Sequence, residues 1–164
     1  MNIEHHWPKI REIFYKGLKT STHVTLATIN KDGTPHTAPL GSLCLSKDEP
    51  TGFYCDKYFT TTSRNLENRQ RLSMLAVNSG FWFWLKSLYK GKFKAPPGVR
   101  LYGYAGEKRK ITSSEKEYWE RRIKHAKWTK GYDLLWKEMD IVRDVYFDSF
   151  EPINTGSMTT NAWK

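Results

Sequence analysis

The dipeptide Asp32-Gly33 most constrains the fold, because it stands between two runs of residues that favour β-strands. Asp-Gly suits the tight turns that join antiparallel strands, since those turns need a positive φ. The flanking runs, in HVTLATINKDGTPHTAPLGSLCL, are rich in β-branched and apolar residues. The sequence therefore predicts a β-hairpin with strands near residues 23–30 and 35–45.

Further strands and helices follow in an order typical of an antiparallel barrel. Strands are predicted at residues 52–56, 71–78, 99–111 and 142–152, and helices at residues 8–19, near Ser63, from the capping box Thr112 to Glu115, and over residues 132–140. Pro8 is expected in the first turn of its helix, and Gly103 and Gly106 are expected either to bend their strand or to let another group approach it closely. Many strands with short connections favour a mainly β, α+β fold, an antiparallel barrel with peripheral helices, in a single domain over residues 1–164.

The whole chain is basic, with 27 Lys and Arg against 17 Asp and Glu and a formal net charge of +10. Such a charge attracts polyanions, namely nucleic acid, acidic lipid or phosphorylated ligands. The basic residues are spread over short clusters without a nucleic-acid-binding signature, which favours a generally basic surface. No apolar run reaches the ~20 residues of a membrane-spanning helix, and the first residues lack a signal peptide's apolar core, so a cytoplasmic protein is expected.

Cysteine, histidine and nucleophile patterns argue against several kinds of site. Cys44 and Cys55 lack CxxC spacing and are too few for a disulfide framework, so buried free thiols are expected. His5 and His6 are adjacent rather than at metal-ligand spacing, and no metal site is predicted. Neither a Gly-x-Ser-x-Gly motif nor a P-loop occurs, which argues against a serine hydrolase and a nucleotide hydrolase.

Residues 59–66, FTTTSRNL, form the segment best suited to bind a ligand. A helix that begins near Ser63 would have free backbone N–H groups for an anion, with hydroxyl donors and the charge of Arg64 beside them. Alternatively, Thr62 or Ser63 simply caps the helix, which is the commonest use of such residues. Both alternatives remain open at the level of the sequence.

Four segments within residues 23–78 together resemble the FMN-binding split-barrel family typified by pyridoxamine 5'-phosphate oxidase. They are LATINKDGTPHTAPLGSL, GFYCD, SRNLEN and RLSMLAVN. In that family a DG-x-P hairpin leads into the strand along the flavin ring, and a Ser/Thr-rich turn before an "NL" helix holds the FMN phosphate. The resemblance implies an antiparallel split β-barrel that binds FMN as a homodimer, with residues 80–98 as an insertion between barrel strands.

The resemblance also implies a set of cofactor-binding residues. Ala38, Pro39, Leu40, Gly41 and Ser42 would line the flavin ring, Tyr54, Cys55 and Asp56 the ribityl chain, and Thr60, Thr61, Thr62, Ser63 and Arg64 the phosphate, with Lys57 as a second source of charge. Two positions depart from the family. Ala38 stands where the hairpin tends to have a basic residue, and Thr62 stands where the phosphate turn tends to have a lysine.

No catalytic side chain is predicted, because flavin N5 performs the hydride chemistry and the protein supplies orientation and electrostatics. His36 is a candidate for proton handling, although an outward-facing position on the hairpin is the simpler expectation. The C-terminal DSFEPINTGSMTTNAWK does not match the ending with which the oxidase grips pyridoxal phosphate. A vitamin B6 oxidase is therefore not expected.

The favoured function is that of an FMN-dependent oxidoreductase. It would pass hydride through flavin between a reduced carrier such as NAD(P)H and an unidentified small molecule, with an anionic one favoured by the basic charge. The alternatives are a deazaflavin-dependent reductase in the same groove and a flavin- or haem-binding protein without turnover. A basic RNA- or membrane-surface-binding protein is the alternative from another class.

The segment FWFWLKSLYKGKFK, residues 81–94, combines aromatic residues with lysines. Drawn as a helix, it places Phe81, Trp84, Leu85 and Leu88 on one face and Trp82, Phe83 and Tyr89 elsewhere. Separation this poor argues against a membrane anchor. The segment is expected either to cover the substrate pocket, with its lysines favouring an anionic substrate, or to seal the barrel and the dimer with its aromatic residues.

Overall fold

The computed structural model describes residues 2–135 and 139–163. The strands within that part of the chain are β1 Val24–Ile29, β2 Pro35–Leu40, β3 Cys44–Leu45, β4 Thr51–Cys55, β5 Arg71–Val77, β6 Gly98–Lys110 and β7 Ile141–Pro152. The helices are α1 Ile3–Ser21, α2 Thr61–Asn68, α3 Phe81–Lys90, α4 Ser113–Arg122 and α5 Lys130–Leu135, with short 3-10 helices at Lys124–Ala126 and Gly156–Thr159.

The described strands form one antiparallel sheet in the order β2-β1-β5-β6-β7-β4-β3. Strands β2 and β3 lie at opposite edges, although only residues 41–43 separate them in the chain. Four Cα–Cα steps span at most about 15 Å, so the sheet must curl until its two edges meet. The structure is therefore a split barrel, which confirms the predicted fold class.

The prediction of one continuous strand over residues 35–45 is wrong. It ends at Leu40 and resumes at Cys44, because the chain crosses from one edge of the sheet to the other over residues 41–43. A single strand cannot pair at both edges. The crossing places Gly41 and Ser42 in a link between strands, where their backbone groups are free of the sheet ladder.

The β1–β2 hairpin forms at the predicted position. Asn30 N donates to Thr34 O over 2.9 Å, and Thr34 N donates to the carboxylate of Asp32 over 3.0 Å. Gly33 has a φ of +87°, a conformation that suits glycine because it has no Cβ. The turn sets the register in which Ile29 pairs with Pro35.

Helix α1 packs its apolar side into the main core through Trp7, Ile10 and Phe14, all buried. The helix begins at Ile3, five residues before Pro8, so the prediction that Pro8 lies in the first turn is wrong. An interior proline costs ~3 kcal/mol. Burying three large apolar side chains contributes ~1.5–3 kcal/mol each, which outweighs that cost.

Strand β6 bends where its glycines lie. Its register against β7 shifts between Tyr102 and Gly103 and again between Ala105 and Lys108. A Cβ atom on Gly103 would lie 2.0 Å from the backbone oxygen of Tyr146. Glycine is thus required where the two strands approach most closely, as the sequence predicts.

Other expectations have simple outcomes. Cys44 and Cys55 are buried and free, as expected. The capping box of Thr112 and Glu115 forms at the start of α4. Of the last predicted helix, residues 132–135 are helical, residues 136–138 lie outside the described part, and Met139 and Asp140 are not helical, so the prediction is wrong at its end. Within the described chain, no helix is both long and apolar enough to cross a membrane.

Candidate functional site

A cavity of about 620 Å³ lies between the barrel and the helical segment that follows β6. The barrel contributes Gly41, Ser42, Cys55, Tyr58 and Phe59, and the other side contributes Trp119, Arg122, Ile123, His125 and Met139, with Thr22 at the end of α1. Its volume lies within the ~300–1,000 Å³ of ordinary ligand pockets. The walls are mostly apolar and aromatic, which suits a planar ring.

Two contacts build the barrel side of this cavity. Ser42 Oγ accepts a hydrogen bond from Cys55 N over 3.1 Å, which joins the link between β2 and β3 to the end of β4. Arg122 donates to the backbone oxygens of Leu43 and, over 3.1 Å, Gly41. Since Arg122 is the last residue of α4, these two bonds hold α4 against the link, and the guanidinium also lies 5.4 Å from the centre of the Trp119 ring on the same helix.

An ion-pair cluster fixes the start of α4 to the barrel. Arg109 Nη1 and Nη2 donate to the two carboxylate oxygens of Glu115 over 2.8 and 2.6 Å. The same guanidinium donates to both oxygens of Asp144 on β7, over 2.8 and 2.6 Å. These bonds from Arg109 lower the pKa of Glu115 from an ordinary value near 4.5 to about 2.

We expect this cluster to make stability depend on pH. A carboxylate with a lowered pKa in the folded state stabilises the protein above its unfolded pKa and loses that contribution as the pH falls. The free energy of unfolding should therefore decrease as the pH falls from 4.5 to about 2, and protonation of Glu115 should account for part of that decrease. Urea denaturation across this range should show a shallower decrease for Glu115→Gln, whereas Glu117→Gln, at an exposed position of α4, should behave like the wild type. If the free energy of unfolding changes equally with pH in Glu115→Gln and in the wild type, Glu115 does not cause the pH dependence.

A buried charge network lies beneath α2. Asp56 Oδ2 accepts from Arg143 Nε over 2.6 Å and from Ser63 Oγ over 3.1 Å, and all three residues are buried. Arg143 also donates to Ser63 Oγ over 3.1 Å and to Gly106 O over 2.8 Å. The other carboxylate oxygen, Asp56 Oδ1, is buried without a hydrogen-bond partner among the described residues. A buried acceptor without a partner is uncommon in folded proteins.

The N-terminus of α2 is not closed by a side chain. The N-cap residue is Thr60, which makes no side-chain capping bond, and Ser63 is bonded to Asp56 instead. The alternative in which Thr62 or Ser63 caps this helix is therefore wrong. Thr62 Oγ1 lies 3.2 Å from His36 Nε2, so two further polar groups meet at this end of α2.

The sequence analysis placed His36 wrongly and did not identify Arg143. The expectation that His36 faces outward is wrong, since its half-buried side chain lies against buried Thr62. Arg143 was not singled out, yet it occupies the inward phase of β7 together with buried Val145 and Phe147. A charged residue in the apolar phase of a strand is the signal that could have identified it.

The structure brings together some of the predicted cofactor residues. Gly41, Ser42 and Cys55 line one cavity, and Thr60, Thr61, Thr62 and Ser63 form the start of α2 directly after Phe59 of the same cavity. Ala38 is half-buried on the inner side of β2, with Pro39 exposed on the other side. Leu40 and Tyr54 are fully buried in the main core, and Lys57 and Arg64 are exposed.

Neither a cover from the same chain nor a metal site is found among the described residues. Residues 81–94 are all described, and none of them lines the cavity. Within one chain, no contact therefore supports the hypothesis that this segment covers the substrate pocket. Among residues 2–135 and 139–163, no three His, Cys, Asp or Glu side chains converge as a metal site.

Solved structures with a similar fold come from proteins of different activities. An FMN-binding protein from Syntrophomonas wolfei subsp. wolfei has a TM-score of 0.57 and 16% identity, over 93% of this chain and 95% of that chain. The heme storage protein HutZ of Vibrio cholerae has a TM-score of 0.55 and 12% identity, over 93% and 95%. An F420 reductase has a TM-score of 0.51 and 12% identity, over 79% and 88%. Identities this low establish a shared fold alone.

Comparison of the sequence with families of known proteins is more specific. No curated protein matches it. The family model described as pyridoxamine 5'-phosphate oxidase matches residues 10–146, which include the sheet as far as the middle of β7, the link at Gly41 and Ser42, and helices α2 and α4. The chain therefore belongs to the pyridoxamine 5'-phosphate oxidase family.

Proposed function

We propose that the protein binds FMN in the cavity beside the link between β2 and β3 and works as a flavin-dependent oxidoreductase. The observation that carries this proposal is the meeting of Gly41, Ser42 and Cys55 in one mostly apolar cavity, next to the uncapped start of α2. The flavin, when bound, supplies hydride transfer at N5. Trp119 and Phe59, which both line the cavity, offer aromatic surfaces to a planar ring.

The polar end of the site suits the rest of the cofactor. The first N–H groups of α2 have no side-chain cap, and the helix dipole favours a phosphate there. Arg64 lies in the first turn of α2, and the hydroxyl of Thr62 lies at the same end.

The proposed reaction passes hydride between a reduced carrier such as NAD(P)H and a small molecule, for which the charge of +10 favours an anion. A homodimer with each flavin between two subunits is part of the proposal. The protein then contributes orientation and electrostatics rather than a single acid or base, since His36 is already engaged with Thr62.

Analysis of the bound cofactor tests this proposal most directly. The purified protein should be yellow, with flavin absorption bands, and should release FMN on denaturation. Release of a deazaflavin coenzyme would replace the cofactor and keep the site. A colourless protein that fails to bind either flavin in titration would overturn the proposal.

We expect Arg64→Ala to weaken FMN binding by about 1 to 3 kcal/mol through the loss of a charge-assisted contact to the phosphate. Fluorescence quenching of FMN during titration measures the change. Arg69→Ala provides the matched control, because Arg69 follows the opposite end of the same helix and is exposed. Equal FMN affinities for the wild type and Arg64→Ala would refute the role of Arg64.

Haem binding in the same cavity is the second candidate function. His125 and Met139 both line the cavity, and their imidazole nitrogen and thioether sulfur are the groups that would hold haem iron. Titration with haemin should then give a sharp Soret band that His125→Ala changes. A protein that binds FMN tightly and leaves the haemin spectrum unchanged would exclude this candidate.

A further inference from the structure

Helix α3 turns an apolar ridge to solvent. The ridge consists of Phe81, Trp82, Leu85, Leu88 and Tyr89, of which Phe81 and Trp82 are 69% and 68% exposed and Tyr89 is 91% exposed. Single exposed apolar residues are ordinary, but a contiguous set on one helix marks an interaction surface. We infer that the ridge docks the protein on a lipid bilayer surface that carries anionic headgroups, independently of the proposed oxidoreductase activity.

The inner side of α3 holds the ridge in place. Trp84 Nε1 donates to Asn78 O over 2.5 Å, and the rings of Trp84 and Phe83 lie 5.2 and 5.5 Å from the ring of Phe93. Phe93 N in turn donates to Met158 O over 2.9 Å. The helix is thus packed on one side and exposed on the other.

The sequence-based arrangement of this helix is corrected by that packing. Trp84 was predicted to share a face with Phe81 and Leu85, but it lies on the inner side. Trp82 and Tyr89, predicted elsewhere, belong to the exposed ridge. The apolar residues therefore separate into an anchored side and an outward side, and the argument against an interfacial helix no longer holds.

The charge around the ridge complements an anionic surface. The lysines of the segment are all exposed: Lys86, Lys90, Lys92 and Lys94. None of them forms an ion pair with another described residue. The sequence has no Asp or Glu between Glu67 and Glu107, so no carboxylate of this stretch offsets them. Unpaired lysines beside apolar side chains are the composition of helices that lie in a bilayer interface.

Two other occupants of the ridge fit less well. Contact of α3 with α3 of a second copy would bring Lys86 and Lys90 of both copies into one interface, and like charges across an interface are unfavourable. RNA would use aromatic rings for stacking, whereas Leu85 and Leu88 have no ring to stack. A bilayer interface accommodates Trp, Tyr and Leu together, with the lysine ammonium groups at the level of the headgroups.

Co-sedimentation with lipid vesicles tests this inference. The wild-type protein should bind vesicles of equimolar phosphatidylcholine and phosphatidylserine, and its binding to phosphatidylcholine alone should be weaker by at least about tenfold. Binding to the mixed vesicles should fall steeply as salt is raised. Absence of binding to the mixed vesicles, or equal binding to both kinds, would overturn the inference.

Variants of the ridge and of its lysines separate the two contributions. Trp82→Ser with Leu85→Ser should reduce vesicle binding by about tenfold or more through lost apolar insertion. Lys86→Gln with Lys90→Gln should reduce it by about thirtyfold. Trp128→Ser is the matched control, because Trp128 is 86% exposed and lies outside α3, and its vesicle binding should equal that of the wild type.

Two further measurements distinguish the rival occupants. If the ridge variant turns a dimer into a monomer in gel filtration while vesicle binding is unchanged, the ridge is a subunit contact and the inference fails. If the same variant loses RNA binding and keeps vesicle binding, the inference also fails. Loss of vesicle binding with unchanged assembly and unchanged RNA binding supports it.

Discussion

Replacing Arg143 with alanine should lower the free energy of unfolding by about 3 to 5 kcal/mol, because it leaves the charge of Asp56 buried without its main partner. Arg143 Nε lies 2.6 Å from Asp56 Oδ2, and both side chains are almost completely buried. Lys108 Nζ, at 3.7 Å from the same oxygen, compensates only in part. Urea denaturation followed by far-ultraviolet circular dichroism measures the change.

A control and a double substitution show whether burial is the cause. Arg71→Ala removes the exposed pair with Asp148, whose side chains are 63% and 43% exposed, and should cost less than about 1 kcal/mol. Asp56→Leu combined with Arg143→Met removes both charges and should recover most of the loss. A cost for Arg143→Ala no larger than that for Arg71→Ala would contradict this account.

Gly103→Ala should destabilise the fold by about 3 kcal/mol, the upper part of the range for overpacking. The new Cβ would lie 2.0 Å from Tyr146 O, and the contacted atom is backbone that is paired in the sheet. Relief therefore requires β6 and β7 to separate at the bulge. Thermal and urea denaturation should both show the loss.

Gly106→Ala is the control on the same strand. There the added Cβ would lie 3.3 Å from the Tyr146 ring, which can shift slightly, and 3.4 Å from Asp144 Cβ, which is an ordinary contact distance. The expected cost is about 1 kcal/mol or less. If the two alanine variants are equally stable, the bulge does not require glycine at residue 103.

The strands and the hairpin could be predicted because their signals are local. Asp32 and Gly33 define a turn by themselves, and the alternation of apolar residues in β5 and β7 needs only neighbours in the chain. The resemblance of residues 23–78 to one family supplied the closure of the sheet, which no local pattern contains. The family match and the sheet topology now establish that closure.

The features that escaped prediction depend on contacts between distant residues. Nothing near Arg143 in the sequence indicates that it pairs with Asp56, 87 positions away. The break of the second strand after Leu40 follows from the position of β3 at the far edge of the sheet. The placement of Arg122 over Gly41 likewise depends on where α4 settles. The assignment of individual flavin contacts stays a prediction until the cofactor is identified.

The free edge of β2 limits how this protein can assemble. Pro35 and Pro39 are both exposed and lie on the same side of β2. Proline has no backbone N–H group, so neither residue can donate a hydrogen bond to a further strand. An edge without these donors resists strand addition, which is how natural sheets avoid uncontrolled aggregation. A second copy of the chain that approached this edge would therefore contact it through side chains and would not extend the sheet across β2.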